Sequence, residues 1–137
     1  MALIDIESAV FDAASKAIKT AHATTSVYGN HIPVPSSFPC VTIVQVDNSV
    51  HTESSTASTT EHAADLVFEV NIYSALKSGA KKEAKSIMAT VDTSLSGLML
   101  TRLGSNPQPV PNADNRIYRI FARYGCVVDS TYRIYRR

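Results

Sequence analysis

Over residues 4 to 22, apolar residues recur at three- and four-residue steps. Ile6, Val10, Ala13, Ala14, Ala17, Ile18 and Ala21 form one stripe, which predicts a helix. Asp5, Glu7 and Asp12 near its start and Lys16 and Lys19 near its end suit the helix dipole. From Thr24 to Pro39 the chain carries Gly29, Asn30, Pro33, Pro35 and Pro39, and reads as a loop. Residues 40–47 contain Cys40-Val-Thr-Ile-Val-Gln-Val46, β-branched and apolar on both faces, which suits a strand inside a sheet. Residues 64–74 alternate instead: Leu66, Phe68, Val70 and Ile72 toward a core, Glu69 and Asn71 away from it.

Between these strands, residues 48 to 63 change character, with nine Asn, Ser or Thr among sixteen residues. So long a polar connection points to a hairpin with a functional or mobile tip. Residues 79–101 form the second helix, with Ala84, Ile87, Met88, Val91, Leu95 and Leu98 on one face. Lys81, Lys82 and Lys85 put positive charge in its first turns, against the dipole. Either the helix starts earlier, capped by Ser74, and the lysines are merely solvated, or they meet an acidic neighbour in an assembly. The first reading is preferred, because surface lysines are common. Gly104 to Asn115 is punctuated by Pro107, Pro109 and Pro111 and reads as a loop.

A long strand over 116–128 follows, with Tyr118, Ile120, Ala122, Tyr124, Cys126 and Val128 on one face and Arg119, Phe121 and Arg123 on the other. A turn at Asp129-Ser130 leads to a strand over 131–136, with Tyr132 and Ile134 on one face. The order α-β-β-α-β-β over residues 1–137 predicts a single α+β domain. Two helices would cover one face of a four-stranded, mostly antiparallel sheet.

At 137 residues, with 45% hydrophobic and 18% charged residues, the chain can bury a core without a disulfide or metal staple. The first residues, MALIDIESAV, carry no basic region, apolar run or cleavage site, so no secretory signal is expected. No run of 18 apolar residues exists, and no membrane partner is expected. The phosphate-cradling, dinucleotide-binding, nucleophile-elbow and His-Glu-x-x-His patterns are missing, so neither an enzyme activity nor a cofactor is expected. Cys40 and Cys126 both fall in strand patterns and read as buried small hydrophobes rather than catalytic thiols.

Two weaker constellations remain. A hairpin over 40–73 would bring His51 and Glu53 toward Glu61 and His62, a set that could ligate zinc in a small ligand-binding domain. Their spacing matches no known zinc site, and solvated loop residues are the plainer reading. From residue 102 onward stand seven arginines and two aspartates, a net of +5; the preceding part, with six lysines and ten acids, has −4. Arginines interleaved with Tyr118, Tyr124, Tyr132 and Tyr135 suit an interaction surface, and equally an exposed sheet face covered by arginine stems. Base stacking on Tyr118 and Tyr124 beside Arg119 and Arg123 would suit single-stranded RNA, but no RNA-recognition signature stands on that strand.

The stretch NADNRIYRIFARYGCVVDSTYRIYRR resembles the end of small tail-completion, or tail-terminator, proteins of long-tailed bacteriophages. So does what leads into it: a strand, a short polar stretch with Lys81-Lys82-Glu-Ala-Lys85, an amphipathic helix and a Pro-rich loop. The likeness spans roughly residues 38 to 137. It implies a structural virion protein of the tail–neck region, made in the host cytoplasm. Such a protein forms a hexameric ring at the head-proximal end of the tail tube. The implied partners are further copies of the chain, the tail-tube protein, a head-closure or connector protein, and duplex DNA passing through the lumen without sequence-specific binding. Another neck ring protein would fit the same resemblance.

The resemblance carries no residue motif. Interface candidates therefore follow from exposure and charge: His51, Glu53, Glu61, His62, Lys81, Lys82, Lys85, Arg119, Arg123, Arg133, Tyr135, Arg136 and Arg137. Size agrees with the ring. A domain of this length has a diameter of roughly 37 Å, and six such spheres in a closed ring leave a hole of roughly the same width.

Overall fold

Two helices and six strands form the computed structural model, which describes residues 4–32, 35–50, 63–75, 78–109 and 116–136. They follow in the order α1 (Glu7–Ala21), β1 (Ser26–Tyr28), β2 (Cys40–Val50), β3 (Ala63–Ser74), α2 (Ala80–Gly97), β4 (Thr101–Pro109), β5 (Tyr118–Asp129) and β6 (Ile134–Arg136). The fold is α+β, as the sequence predicts, with two strands more than expected. The sheet runs β1-β2-β3-β5-β4, and β6 pairs with the remaining length of β5. All pairings are antiparallel except β1 with β2.

The alternation in β3 becomes the inner layer of the core. Leu66, Phe68, Val70 and Ile72 are buried, and their register partners on β5 (Cys126, Tyr124, Ala122 and Ile120) are buried beside them. Over this face lie Val10, Ala14 and Ile18 of α1 and Ala84, Ile87, Met88, Val91 and Leu95 of α2. Burial of this apolar area is the main stabilising term. Of the predicted inward residues on β5, Tyr118 is only half-buried, packed against the edge of the cluster.

Both added strands fall in stretches that read as loops. β1 is three residues long, too short to show a pattern, and pairs Ser26, Val27 and Tyr28 with Cys40, Val41 and Thr42. β4 contains Pro107 and Pro109, which an edge strand tolerates because one side of its backbone has no ladder partner. Its register jumps between Leu103 and Gln108, whose partners on β5 are only two residues apart, and Gly104 takes the left-handed conformation (φ +80°) within that bulge. Residues 110–115, the rest of the predicted loop, lie outside the described residues.

The second helix is shorter than predicted at its end. Met99 adopts φ +72° there, and the amides of Leu100 and Met99 donate to the carbonyls of Leu95 and Ser96. These two bonds form a Schellman closure, with methionine in the position glycine usually takes, and they turn the chain so that Leu100 is buried. At its start the cap is Gly79, not Ser74. Ser74 ends β3 instead, and its hydroxyl donates to Glu83 Oε1 at 2.7 Å. The last strand is also shorter than predicted. Asp129 to Arg133 is a turn, and Tyr132 (φ +65°) stands in it, exposed and outside the strand.

The start of α1 is tied to the register shift in β2. Between Gln45 and Asp47 the ladder slips by one residue. The freed Gln45 amide donates to Glu7 Oε2 (2.9 Å), and the Asn48 side-chain amide donates to the Ile4 carbonyl (2.8 Å). The bulge thus anchors the N-terminal segment and leaves Val46 exposed.

Candidate assembly surface

The sheet face turned away from the helices is polar, and register decides which side chains meet there. Tyr73 pairs with Arg119, Asn71 with Phe121 and Glu69 with Arg123. Arg119 donates from Nε and Nη2 to Asn71 Oδ1 (2.9 and 2.7 Å), and Asn71 Nδ2 donates to Glu69 Oε1 (3.1 Å). Arg123 donates from Nε and Nη2 to Glu69 Oε2 (3.3 and 3.2 Å). The result is a diagonal ladder of two arginines, an amide and one carboxylate. The guanidinium of Arg119 also lies 5.4 Å from the Tyr73 ring centre, and that of Arg123 5.5 Å from the Phe121 ring centre.

This outer face is not uniformly wet. Asn71 was expected to face solvent, yet it is only 2% exposed, and Cys40, Thr42 and Tyr73 around it are buried too. Burial pushes the Cys40 thiol up to about 11 and raises the Tyr73 phenol, with Arg119 pulling the latter partly back. Both cysteines are buried free thiols.

On the inner face, Tyr124 is fully buried and donates its hydroxyl to Asp92 Oδ1 (2.6 Å), which also accepts from Arg102 Nη1 (3.0 Å). Burial, then this bond to a carboxylate, raise its phenol. Tyr124 therefore offers no ring to a nucleobase, which closes one of the two tyrosines considered for base stacking.

The predicted interface residues do not gather into one patch. Arg119 and Arg123 share the outer face. Lys81, Lys82 and Lys85 are exposed on the first turns of α2, beside the end of the sheet where Ser74 and Tyr118 pair. Arg133 and Tyr135 lie at the opposite end, with the Arg133 guanidinium 5.3 Å from the Tyr135 ring centre. There Asp129 organises the turn. Its Oδ1 accepts from the Thr131 amide and hydroxyl and from the Arg133 amide, and its Oδ2 from the Tyr135 hydroxyl. The Thr131 hydroxyl bond contributes most to holding this carboxyl below its usual range. Arg136 pairs through its backbone with Cys126. His51, Glu53, Glu61, His62 and Arg137 lie outside the described residues.

Sequence reasoning missed a second group near the β5–β6 turn. An apolar cleft of about 390 Å³ is lined by Asp5, Ile6, Ser8, Ala9, Val10, Leu98, Tyr132 and Ile134. No spacing in the sequence signals it, because Tyr132 reads as part of the last strand.

No curated protein matches this chain. Among solved structures, the gp17 protein of bacteriophage SPP1 is similar at 14% identity, with 86% of this chain and 88% of that one covered and a TM-score of 0.41. A family of phage tail proteins, described as tail completion protein gp17, matches residues 9–129, from the first turn of α1 to the end of β5. With most of its length so matched, the chain belongs to the tail completion protein gp17 family and has a structural role in the bacteriophage tail.

Proposed function

We propose that this protein forms a ring of six copies at the head-proximal end of the tail tube. There it stops tube growth and presents a docking surface to the head-closure or connector protein. Family membership over residues 9–129 is the observation that carries the reading. Physical support comes from the subunit. A compact domain of this length gives a six-membered ring a hole of roughly 37 Å, wide enough for duplex DNA. A net charge of +1 also suits a lumen that DNA must cross without adhering, since each neutralised phosphate adds affinity. In this reading the subunit and partner contacts are the charged residues at the two ends and on the outer face. Residues His51, Glu53, Glu61 and His62 of the polar loop join them.

Light scattering over a wide concentration range, alone and with isolated tail tubes, tests the proposal. Six copies of a 14.8 kDa chain weigh about 89 kDa. A species of that mass that caps one tube end and halts elongation is the expected result. A chain that stays monomeric alone and leaves tube growth unchanged would overturn the reading.

A further inference from the structure

The two sides of the sheet end differently. On one side β4 carries Pro107, Pro109 and the bulge at Gly104, features that stop a further strand from adding. On the other side β1 pairs with Cys40 to Thr42, and among the described residues no strand lies beside the rest of β2. The run Ile43-Val-Gln-Val46 is rich in β-branched residues and holds neither proline nor lysine. Composition alone would leave it an open template for strand addition.

Backbone direction shows which group is at stake. The Ser26 amide donates to the Pro39 carbonyl, and Val27 pairs with Val41. Backbone groups alternate sides along a strand, so those of Pro39, Val41, Ile43 and Gln45 point away from β3. β1 ends at Tyr28, opposite Thr42, so the Gln45 amide points off the edge beyond its reach. That amide donates to Glu7 Oε2 at 2.9 Å. Glu7 is itself held in place. Its amide donates to Asp5 Oδ1 (2.9 Å), the Ile4 carbonyl accepts from Asn48 Nδ2 (2.8 Å), and Ile4 and Ile6 are buried. Next along the edge, the register slips past Val46, and Asp47 is exposed.

We infer that Glu7 guards this edge. Its carboxylate takes the place that a strand's carbonyl would take at Gln45, and so keeps a second copy of the chain from adding to β2. The excluded partner is the same edge of another copy, antiparallel about a twofold axis. The other edges do not suit, because β4 is blunted by proline and β6 offers three residues. A twofold contact uses one patch on both copies and closes at two, whereas a ring joins two different patches. An unguarded edge would therefore withdraw subunits into pairs that cannot extend. Glu7 acts in this way on the free subunit, with or without a ring.

Sedimentation velocity over a wide concentration range tests the guard. Glu7→Ala removes the acceptor and should raise two-copy association at least about tenfold over wild type, because the freed amide then seeks another carbonyl. The new species has twice the mass of the 14.8 kDa chain, about 30 kDa. Glu7→Gln keeps an acceptor oxygen and should sediment as wild type. Glu7→Ala/Gln45→Pro removes the donor as well, at a position where an edge strand tolerates proline, and the pairs should disappear. Should Glu7→Ala not fold, Glu7→Asp must show the same pairing, since it keeps the charge and withdraws the carboxylate by one methylene. A variant that is folded by circular dichroism yet sediments as wild type at every concentration would overturn the inference. So would pairs that persist in the proline variant.

Discussion

The two faces of one sheet are stabilised in opposite ways. On the inner face, Phe68, Val70 and Ile72 bury hydrocarbon against two helices, and the gain grows with area whatever the detailed geometry. On the outer face, Arg119, Asn71, Glu69 and Arg123 gain from direction instead, each donor needing one particular acceptor. An apolar face is therefore costly to truncate anywhere, whereas a polar ladder is costly to cut only where it is dry. Asn71 is dry and Arg123 is not: the Arg123 side chain is 52% exposed.

The sharpest contrast comes from truncating each face. Phe68→Ala should lower unfolding free energy by about 3–5 kcal/mol in urea titration, since the helices above it cannot fully collapse into the space. Asn71→Ala should cost about 1–3 kcal/mol by the same measurement, because the Arg119 donors lose their acceptor in a closed site. A loss no larger than at Arg123 would mean that the covered end of the outer face is open in solution.

The same covered end should respond to alkali. The Cys40 thiol is held at about 11 when folded, against 9.0 as its ordinary value. The folded pKa is the higher, so its contribution is complete below pH 9 and is lost as pH rises toward 11. Stability that falls over that interval in wild type but less in Cys40→Ser would confirm it. Met99→Gly should raise stability by about 1 kcal/mol by relieving left-handed strain, read as a higher melting temperature. Arg123→Ala should cost the least, under about 1 kcal/mol, because its ion pair with Glu69 is largely in water.

Most of the inner face was legible in the sequence because its periodicity is a local property. Leu66 to Ile72 alternate, and Ala84 to Leu95 recur at helical steps; each set became a buried row. The outer face was only half legible. The alternation put Asn71 on it correctly, but its burial depends on what lies over the sheet, which no spacing encodes. β1 and β4 escaped for a related reason. A three-residue strand shows no period, and prolines in an edge strand look like loop punctuation until the neighbouring strand is known. Lys81, Lys82, Lys85, Arg123 and Arg133 were legible as exposed charges, but their division between two ends and one face was not.

By itself the sequence determined the order of the main elements, their apolar faces and the α+β class, because hydrophobic spacing acts over a few residues. It also held the resemblance to phage tail-completion proteins that the family match bears out. Tertiary structure alone decided that Asn71 is buried, that Glu7 closes the β2 bulge, and that Leu98, Tyr132 and Asp5 wall a single cleft. Those outcomes depend on contacts between residues tens of positions apart, and strand register and chain crossing place them.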